Sequence, residues 1–524
     1  MLETPSARNK RSMADISENN KRIAKNTMAL YFRMLFMTLI GLYTSRVILD
    51  KLGEVDYGIY NVVGGFVTMF TVISGTMTTA TQRYLSFEIG LKDKGNVQSI
   101  FSTMVWIHLL FAIIVLILAE TIGLWFLNSH MNFPVERHDA ANWVFQYSLI
   151  AFLLSICMAP YNGALIAYEK MSAFAYFSIL EAVIKLAICF VITITAFDKL
   201  STYAFLIMVT QITLMACYFF YCKKHFVQCK ISNKLDKQIM SSIFSFFGWN
   251  LIGALAMVLK DQGVNVVLNI FFGPVVNAAR GISYQVLSKI NGFVSNFQMA
   301  MNPQIIKNYA AEQKDAMYKL VFRGAKFSYL MLLTLSLPII FEAPLILSFW
   351  LKEVPENTVI FLRIIMFTAL LNTLSNPLII SMHASGIIRD FQIVVGGVSL
   401  LTLPLVYYAF KLGYDAYIGL IIAFIVEFCC HLTRLSMLKR TIGFPASKFF
   451  FQVTLRIIFI TLLTLVLPWL TYSFVSSNIP RFFSVCIVSV FSCITFGFYG
   501  GLENSERQLV ISKVHSFINH TLHK

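Results

Sequence analysis

About 14 runs of some 20 or more mostly apolar residues follow one another along this 524-residue chain. A helix of about 20 apolar residues crosses roughly 30 Å of hydrocarbon, and a backbone inside hydrocarbon must satisfy its own hydrogen bonds. The chain therefore reads as an all-α polytopic membrane protein with little sequence left for a soluble domain. Composition agrees: 57% of residues are hydrophobic and 13% charged, where a soluble domain carries about 25% charged. The runs fall at 27–49, 58–80, 101–127, 143–168, 173–196, 202–222, 241–271, 275–300, 325–350, 357–382, 391–411, 415–437, 452–474 and 481–501.

These runs divide the chain. Residues 1–26 form a polar, basic N-terminal segment, and 27–222 a first lobe of six helices. A basic loop, 223–240, leads to a second lobe of six, 241–438. Two further helices lie in 439–501, before a polar tail at 502–524. The first apolar run is too long for a signal peptide, and no small-residue cleavage site follows it, so it reads as a retained helix.

The formal net charge is +16. The basic residues are spread through short connections and build no polar domain, which argues against a nucleic-acid partner. With a cytoplasmic N-terminus, the even-numbered connections and both termini hold roughly 27 Lys and Arg, against about six in the odd-numbered connections. That asymmetry predicts both termini on the cytoplasmic side and an even number of spans. The acidic turn Asp50 to Asp56 then lies in outer water, and Gly53 and Gly58 let the chain reverse there. The nine cysteines are scattered, mostly inside apolar runs, with only Cys229 in a loop. No C-x-x-C or zinc spacing occurs, so buried structural thiols are expected. There is no phosphate-binding Walker loop, no metal cluster and no nucleophile with a base. The reading is a non-enzyme without cofactor or metal.

Gly53 follows the first run and Gly273 the seventh, an offset of 220 at which Val47 meets Val267 and Ala80 meets Ala300. Leu49 meets Asn269, however, and apolar composition alone gives matches of this kind. Each half opens with a helix, a Gly turn and a second helix rich in small and polar residues. Two six-helix repeats would start on the same side, related by an axis along the membrane normal.

Charges inside the runs are the functional candidates, because each costs about 2.5–3.5 kcal/mol on the insertion scale. Arg33, Lys260 and Lys289 lie well inside their runs. Arg46, Arg280, Arg363 and Arg434 lie near run ends, where snorkelling to the interface competes evenly with a functional role. Glu181 with Lys185, and Glu427 with His431, have the spacing of neutralising i,i+4 pairs. Asp261 follows Lys260 directly, and neighbours on a helix point about 100° apart, so a tight pair is not expected. The eighth run, ARGISYQVLSKINGFVSNFQMAMNP, holds too many polar groups for a lipid-facing helix and is expected to line a wet cavity. The surplus is cationic, and Arg and Lys are the donors that hold phosphate or pyrophosphate.

Ser45-Arg46, Leu49, Leu52-Gly53 and Tyr57-Gly58-Ile59-Tyr60 resemble the first-helix and turn region of polysaccharide-biosynthesis (O-antigen-type) flippases. These belong to the multidrug/oligosaccharidyl-lipid/polysaccharide exporter superfamily. TATQRYLSFEIG (79–90), NAARGISYQV (277–286) and SNFQMAMNPQI (295–305) resemble them too. The resemblance implies two six-helix lobes in a V around a central cavity, with two extra C-terminal helices. It implies movement of a lipid-pyrophosphate-linked oligosaccharide from the inner to the outer leaflet of a bacterial inner membrane, by alternating access. The anionic headgroup would meet Arg33, Arg46, Lys260, Arg280 and Lys289. Glu181, Lys185, Asp261, Glu427 and His431 would be coupling residues or structural pairs. Implied partners are the lipid-linked oligosaccharide, the bilayer and the polysaccharide polymerase machinery.

Two other readings compete. A cation-coupled drug or small-molecule antiporter of the same superfamily would want an acidic residue in the first lobe, and Glu181 is the candidate. A membrane-embedded glycosyltransferase would want catalytic carboxylates in a sizeable outer loop. The longest outer connection, 128–142, offers only Glu136 and Asp139.

Overall fold

The computed structural model describes residues 26–41, 43–44, 47–48, 50–53, 56, 59–60, 71–91, 96–130, 134–232, 237–351, 354–476, 478–501 and 507–508. Among them regular structure is helical throughout, with no strand. The first half holds α1 (26–41), α2 (Thr71–Gly90), α3 (Val97–Ser129), α4 (His138–Ala167), α5 (Met171–Ile194) and α6 (Lys199–His225). The second holds α7 (Lys237–Phe272), α8 (Pro274–Ala310), α9 (Lys314–Trp350), α10 (Thr358–Ser385), α11 (Arg389–Lys411) and α12 (Ala416–Ile442). Then come α13 (Ala446–Phe474) and α14 (Ile479–Gly501). Among the described residues, eleven helices, α3 to α7 and α9 to α14, are long and apolar enough to cross a membrane. This is an all-α polytopic membrane fold.

Several helices run beyond the apolar runs that announce them. α8 continues to Ala310 and α9 starts at Lys314, so Lys314, Lys319 and Arg323 are helical. Each of these helices has 37 residues; α8 is about 55 Å long, whereas α9 kinks at Glu342, where the backbone leaves helical geometry (φ −96°, ψ 21°). The apolar run marks the length of hydrocarbon, whereas Lys, Arg, Ala and Met extend a helix readily into polar surroundings. The basic loop shortens for the same reason, because α6 ends at His225 and α7 begins at Lys237.

The chain forms two compact units. Unit 1 is Met1–Ala254 with Met299–Gln313, and unit 2 is Leu255–Gln298 with Lys314–Lys524. In unit 1, α4 is the hub, packed on α2, α3, α5 and α6. Phe145, Leu149, Phe152 and Ile156 of α4 pack with Val115 of α3 and Leu200 of α6. In unit 2, α10 packs on α9 and α12. Its Phe361 and Ile365 join Val264 and Leu268 of α7 and Val406 of α11.

The fourth helix of each half carries the same marks. The apolar stretches of α4 and α10 are each 61% buried, more than any other span. Pro160 lies inside α4 and Pro377 inside α10, 217 positions apart. Each helix ends in a left-handed turn, at Glu169 (φ 59°) and Gly386 (φ 76°), again 217 apart. Gly53 and Gly273 also share left-handed φ values, 79° and 77°. A Cβ disfavours this region, so Glu169 needs compensation. It finds it inside unit 1: Gln304 Nε2 donates to the buried carboxylate at 2.7 Å and Lys307 Nζ at 2.5 Å.

Helix prolines leave the carbonyl four residues earlier without its N–H. In hydrocarbon a donor from a neighbouring helix can serve that oxygen, and among the described residues three are served so. Gln298 of α8 donates to Thr373 O at 3.3 Å, below Pro377. Arg363 of α10 donates to Ile340 O at 2.8 Å, below Pro344. Ser492 of α14 donates to Thr464 O at 2.9 Å, below Pro468. Arg363 is thereby a helix-to-helix tie and does not snorkel.

All nine cysteines are free thiols. Cys189, Cys222, Cys229, Cys430 and Cys493 are buried, whereas Cys429 is exposed, contrary to the expectation of uniformly buried thiols.

Candidate functional site

The polar and charged residues of unit 2 converge where α7, α8 and α12 pack. α8 starts at Pro274, whose missing N–H is harmless in a first helical turn. One turn in, Asn277 Nδ2 donates to Asn265 O and Oδ1 of α7 at 2.7 and 2.8 Å. Asn269 Nδ2 donates to Asn277 Oδ1 at 2.9 Å. This asparagine clasp holds the end of α7 to the start of α8.

Arg280 rests on the clasp. Its Nη1 donates to Asn265 Oδ1 at 3.3 Å, its guanidinium lies 4.7 Å from the Tyr284 ring centre, and Asp261 is 4.0 Å away. Arg280 is only 8% exposed and its buried Nε has no hydrogen-bond partner among the described residues. An arginine fixed in this way is not snorkelling, which corrects the simpler reading of its position. Tyr284 lies in the field of Arg280, Asp261 and Lys260 together.

Lys260 points to α12. Its Nζ lies 3.4 Å from Glu427 Oε2, while Arg434 Nη1 donates to Glu427 Oε1 at 2.8 Å. Glu427 and Arg434 are each 3% exposed. Arg434 therefore does not snorkel either. The expected Glu427–His431 pair does not form. His431 Nδ1 meets Ser375 Oγ at 3.0 Å and its Nε2 meets Thr454 Oγ1 at 3.2 Å. Two full cations outcompete an imidazole for one buried carboxylate. Arg434 Nη1 also donates to Ser375 Oγ at 3.1 Å, tying α12 to α10.

Beyond Tyr284, the open face of α8 is polar. Gln285, Ser288, Lys289, Asn291 and Ser295 are all exposed at helical spacing. A lipid-facing stripe would be apolar there. Lys289 has no ion-pair or hydrogen-bond partner among the described residues. Lys260, Arg280, Lys289 and Arg434 against Asp261 and Glu427 leave this part of unit 2 with a surplus of two positive charges.

In unit 1, Arg33 Nη1 reaches Ser178 Oγ at 3.5 Å and its guanidinium lies 4.6 Å from the Phe174 ring centre. Lys185 Nζ donates to Glu181 Oε1 at 2.6 Å, the expected i,i+4 pair. Glu181 also lies in the field of Arg33. Arg46, the remaining residue proposed from the sequence, lies outside the described residues.

Solved structures with this arrangement of helices exist. A MATE protein determined in complex with MaD3S superposes with a TM-score of 0.68 at 15% identity, over 81% of this chain and 97% of that one. An outward-facing multidrug resistance MATE transporter of the MOP superfamily gives 0.70 at 12% identity, over 82% and 97%. The fold is that of the MATE transporters. A MOP superfamily transporter from Pyrococcus furiosus, described by the reverse polarity of its binding pocket, shares this MATE fold at 0.68 and 13% identity, over 82% and 96%. No protein-family model and no curated protein matches the sequence.

Within this MATE fold the sequence reading missed the asparagines, Tyr284, Ser375 and Thr454. Asn265, Asn269 and Asn277 carried a signal, since three amides at spacings of four and eight beside a Gly turn are unusual in apolar helices. Ser375 and Thr454 carried none, because hydroxyls in such helices commonly bond their own backbone.

Proposed function

We propose that this chain is a membrane transporter whose cargo carries an anionic group. One observation carries the reading: the surplus of positive charge built into α7, α8 and α12, with Arg280 held in place and Lys289 left open. Desolvated guanidinium and ammonium groups suit phosphate and pyrophosphate oxygens. Together with the sequence resemblance, this favours a lipid-pyrophosphate-linked oligosaccharide carried from the inner to the outer leaflet of a bacterial inner membrane by alternating access.

A second reading is a cation-coupled antiporter for drugs or small molecules. It is supported by the fold likeness to a multidrug resistance MATE transporter, and on the comparisons alone it is the better supported of the two. Against it stands Glu181, its acidic candidate, which is already paired with Lys185. The likeness to a MOP superfamily transporter described by the reverse polarity of its binding pocket is compatible with a different pocket charge in the same fold.

The deciding experiment follows the leaflet location of lipid-linked oligosaccharide in cells lacking the protein. Retention on the inner leaflet, relieved by wild type and not by equally expressed Arg280→Ala, supports the flippase. Normal outward movement without the protein, with impaired efflux of cationic dyes, supports the antiporter.

A further inference from the structure

Glu427 holds two cations unequally. The Arg434 contact is short and sealed, at 2.8 Å, with side chains 4% and 3% exposed. The Lys260 contact is longer, at 3.4 Å, and the lysine side chain is the most accessible of the three at 13%. Charge-assisted N–H···O bonds settle at about 2.7–2.9 Å, so the Lys260 contact is the relaxed one. Glu427 and Arg434 already form a neutral pair, fixed further by Ser375. Glu427 therefore stays compensated when Lys260 leaves, and its full charge need not stand alone in a low-dielectric interior. Lys260 is the surplus charge. Its flexible four-carbon stem can turn toward Tyr284 and Arg280, whose field it already shares.

We propose that Glu427 is an internal stand-in for the anionic group of the cargo: it holds Lys260 until a phosphate or pyrophosphate draws Lys260 off it. This rests on the anionic-cargo reading and makes Glu427 a positioning residue that competes with the cargo. Occupation by a built-in carboxylate makes any anion compete with Glu427 for Lys260.

The test is equilibrium binding of inorganic pyrophosphate to the purified full-length chain in detergent, by calorimetry. Wild type binds measurably. Glu427→Gln frees Lys260 and tightens binding about 3- to 10-fold. Lys260→Gln weakens it at least as much, and Lys260→Gln with Glu427→Gln matches Lys260→Gln alone, because the gain requires the lysine. Glu427→Gln strands Arg434, so the paired change Glu427→Gln with Arg434→Met is made alongside. Removing both members of a buried pair is better tolerated than removing one, and it should tighten binding equally. Inorganic phosphate and acetate serve as controls, with the Glu427 effect largest for pyrophosphate. Wild-type binding that either Glu427 variant leaves unchanged or weakens overturns the inference and leaves the anionic reading intact. Absence of pyrophosphate binding in wild type and in both variants overturns the two together.

Discussion

Arg363 donates its Nε to the main-chain oxygen of Ile340, the oxygen that Pro344 deprives of its helical partner. The arginine and the proline form one unit although they lie on different helices. Arg363→Met should lower the melting temperature by an amount corresponding to about 1.5–3 kcal/mol, the range for hydrogen bonds involving a charged group. Pro344→Ala in the same chain should restore part of it, since the alanine N–H returns to Ile340 O. Thermal unfolding of the two single variants and the double variant measures the coupling. Strictly additive losses would show that Arg363 acts elsewhere.

Glu169 combines a left-handed backbone with a buried carboxylate held by Gln304 and Lys307. Glu169→Gly should be milder than Glu169→Ala, because glycine removes the backbone strain while both lose the ion pair. Breaking a buried pair costs about 3–5 kcal/mol. Expression level and unfolding temperature in detergent would order the three chains as wild type, glycine, alanine. Equal stability of the glycine and alanine variants would remove any role for the backbone conformation.

Gly90 closes α2 against α8. A Cβ there would stand 2.7 Å from Lys307 O and 2.8 Å from Ala310 Cβ. Gly90→Ala must push two backbones apart and should lose about 1–3 kcal/mol. Gly41→Ala, where a Cβ meets nothing within 4 Å, is the control and should be neutral or slightly stabilising. A similar melting temperature for both variants would argue that the close approach is not maintained in the membrane.

Arg137 bridges Asp56 at 2.5 Å and Asp198 at 2.9 Å in the connections of unit 1. Burial pushes the Asp56 carboxyl up from its ordinary value, Arg137 draws it back down and Asp198 adds to the rise. A carboxyl raised by folding contributes stability at low pH that is lost as the pH climbs through its folded value. Arg137→Gln removes the only term that opposes the rise. The variant should therefore be less stable than wild type at pH 7 and 8, with a deficit that narrows once the pH falls through the carboxyl's raised folded value. A deficit that persists undiminished at a pH low enough to protonate the carboxyl in both folded and unfolded chains would mean that Arg137 acts by packing alone.

The spans were legible because hydrocarbon thickness writes itself into run length and composition. Helix ends were not, since nothing apolar marks where α8 passes Met299 and reaches Ala310. Lys260, Arg280 and Lys289 stood out by the energetic cost of charge in a greasy run, and the structure brings Lys260 and Arg280 into reach of one tyrosine. Their partners did not stand out, because Glu427 lies 167 positions beyond Lys260 and spacing along α12 suggested His431 instead. Local periodicity reports neighbours on one helix, and the decisive partners came from three others. The internal duplication was faint at the level of residue identity. It is plain in the backbone, because a proline and a left-handed turn constrain geometry in a way that Val opposite Val does not.

Cys429 lies two positions past Glu427 on α12, and it is the exposed member of a set of nine free thiols. This leaves a point of attachment on the opposite, exposed face of the helix that carries Glu427 and Arg434, with no bridge to reduce beforehand. A thiol-directed fluorophore or nitroxide at that position would turn α12 into its own reporter. The departure of Lys260 could then be followed as a spectroscopic signal in real time, in a chain that needs no engineering at the charged residues themselves.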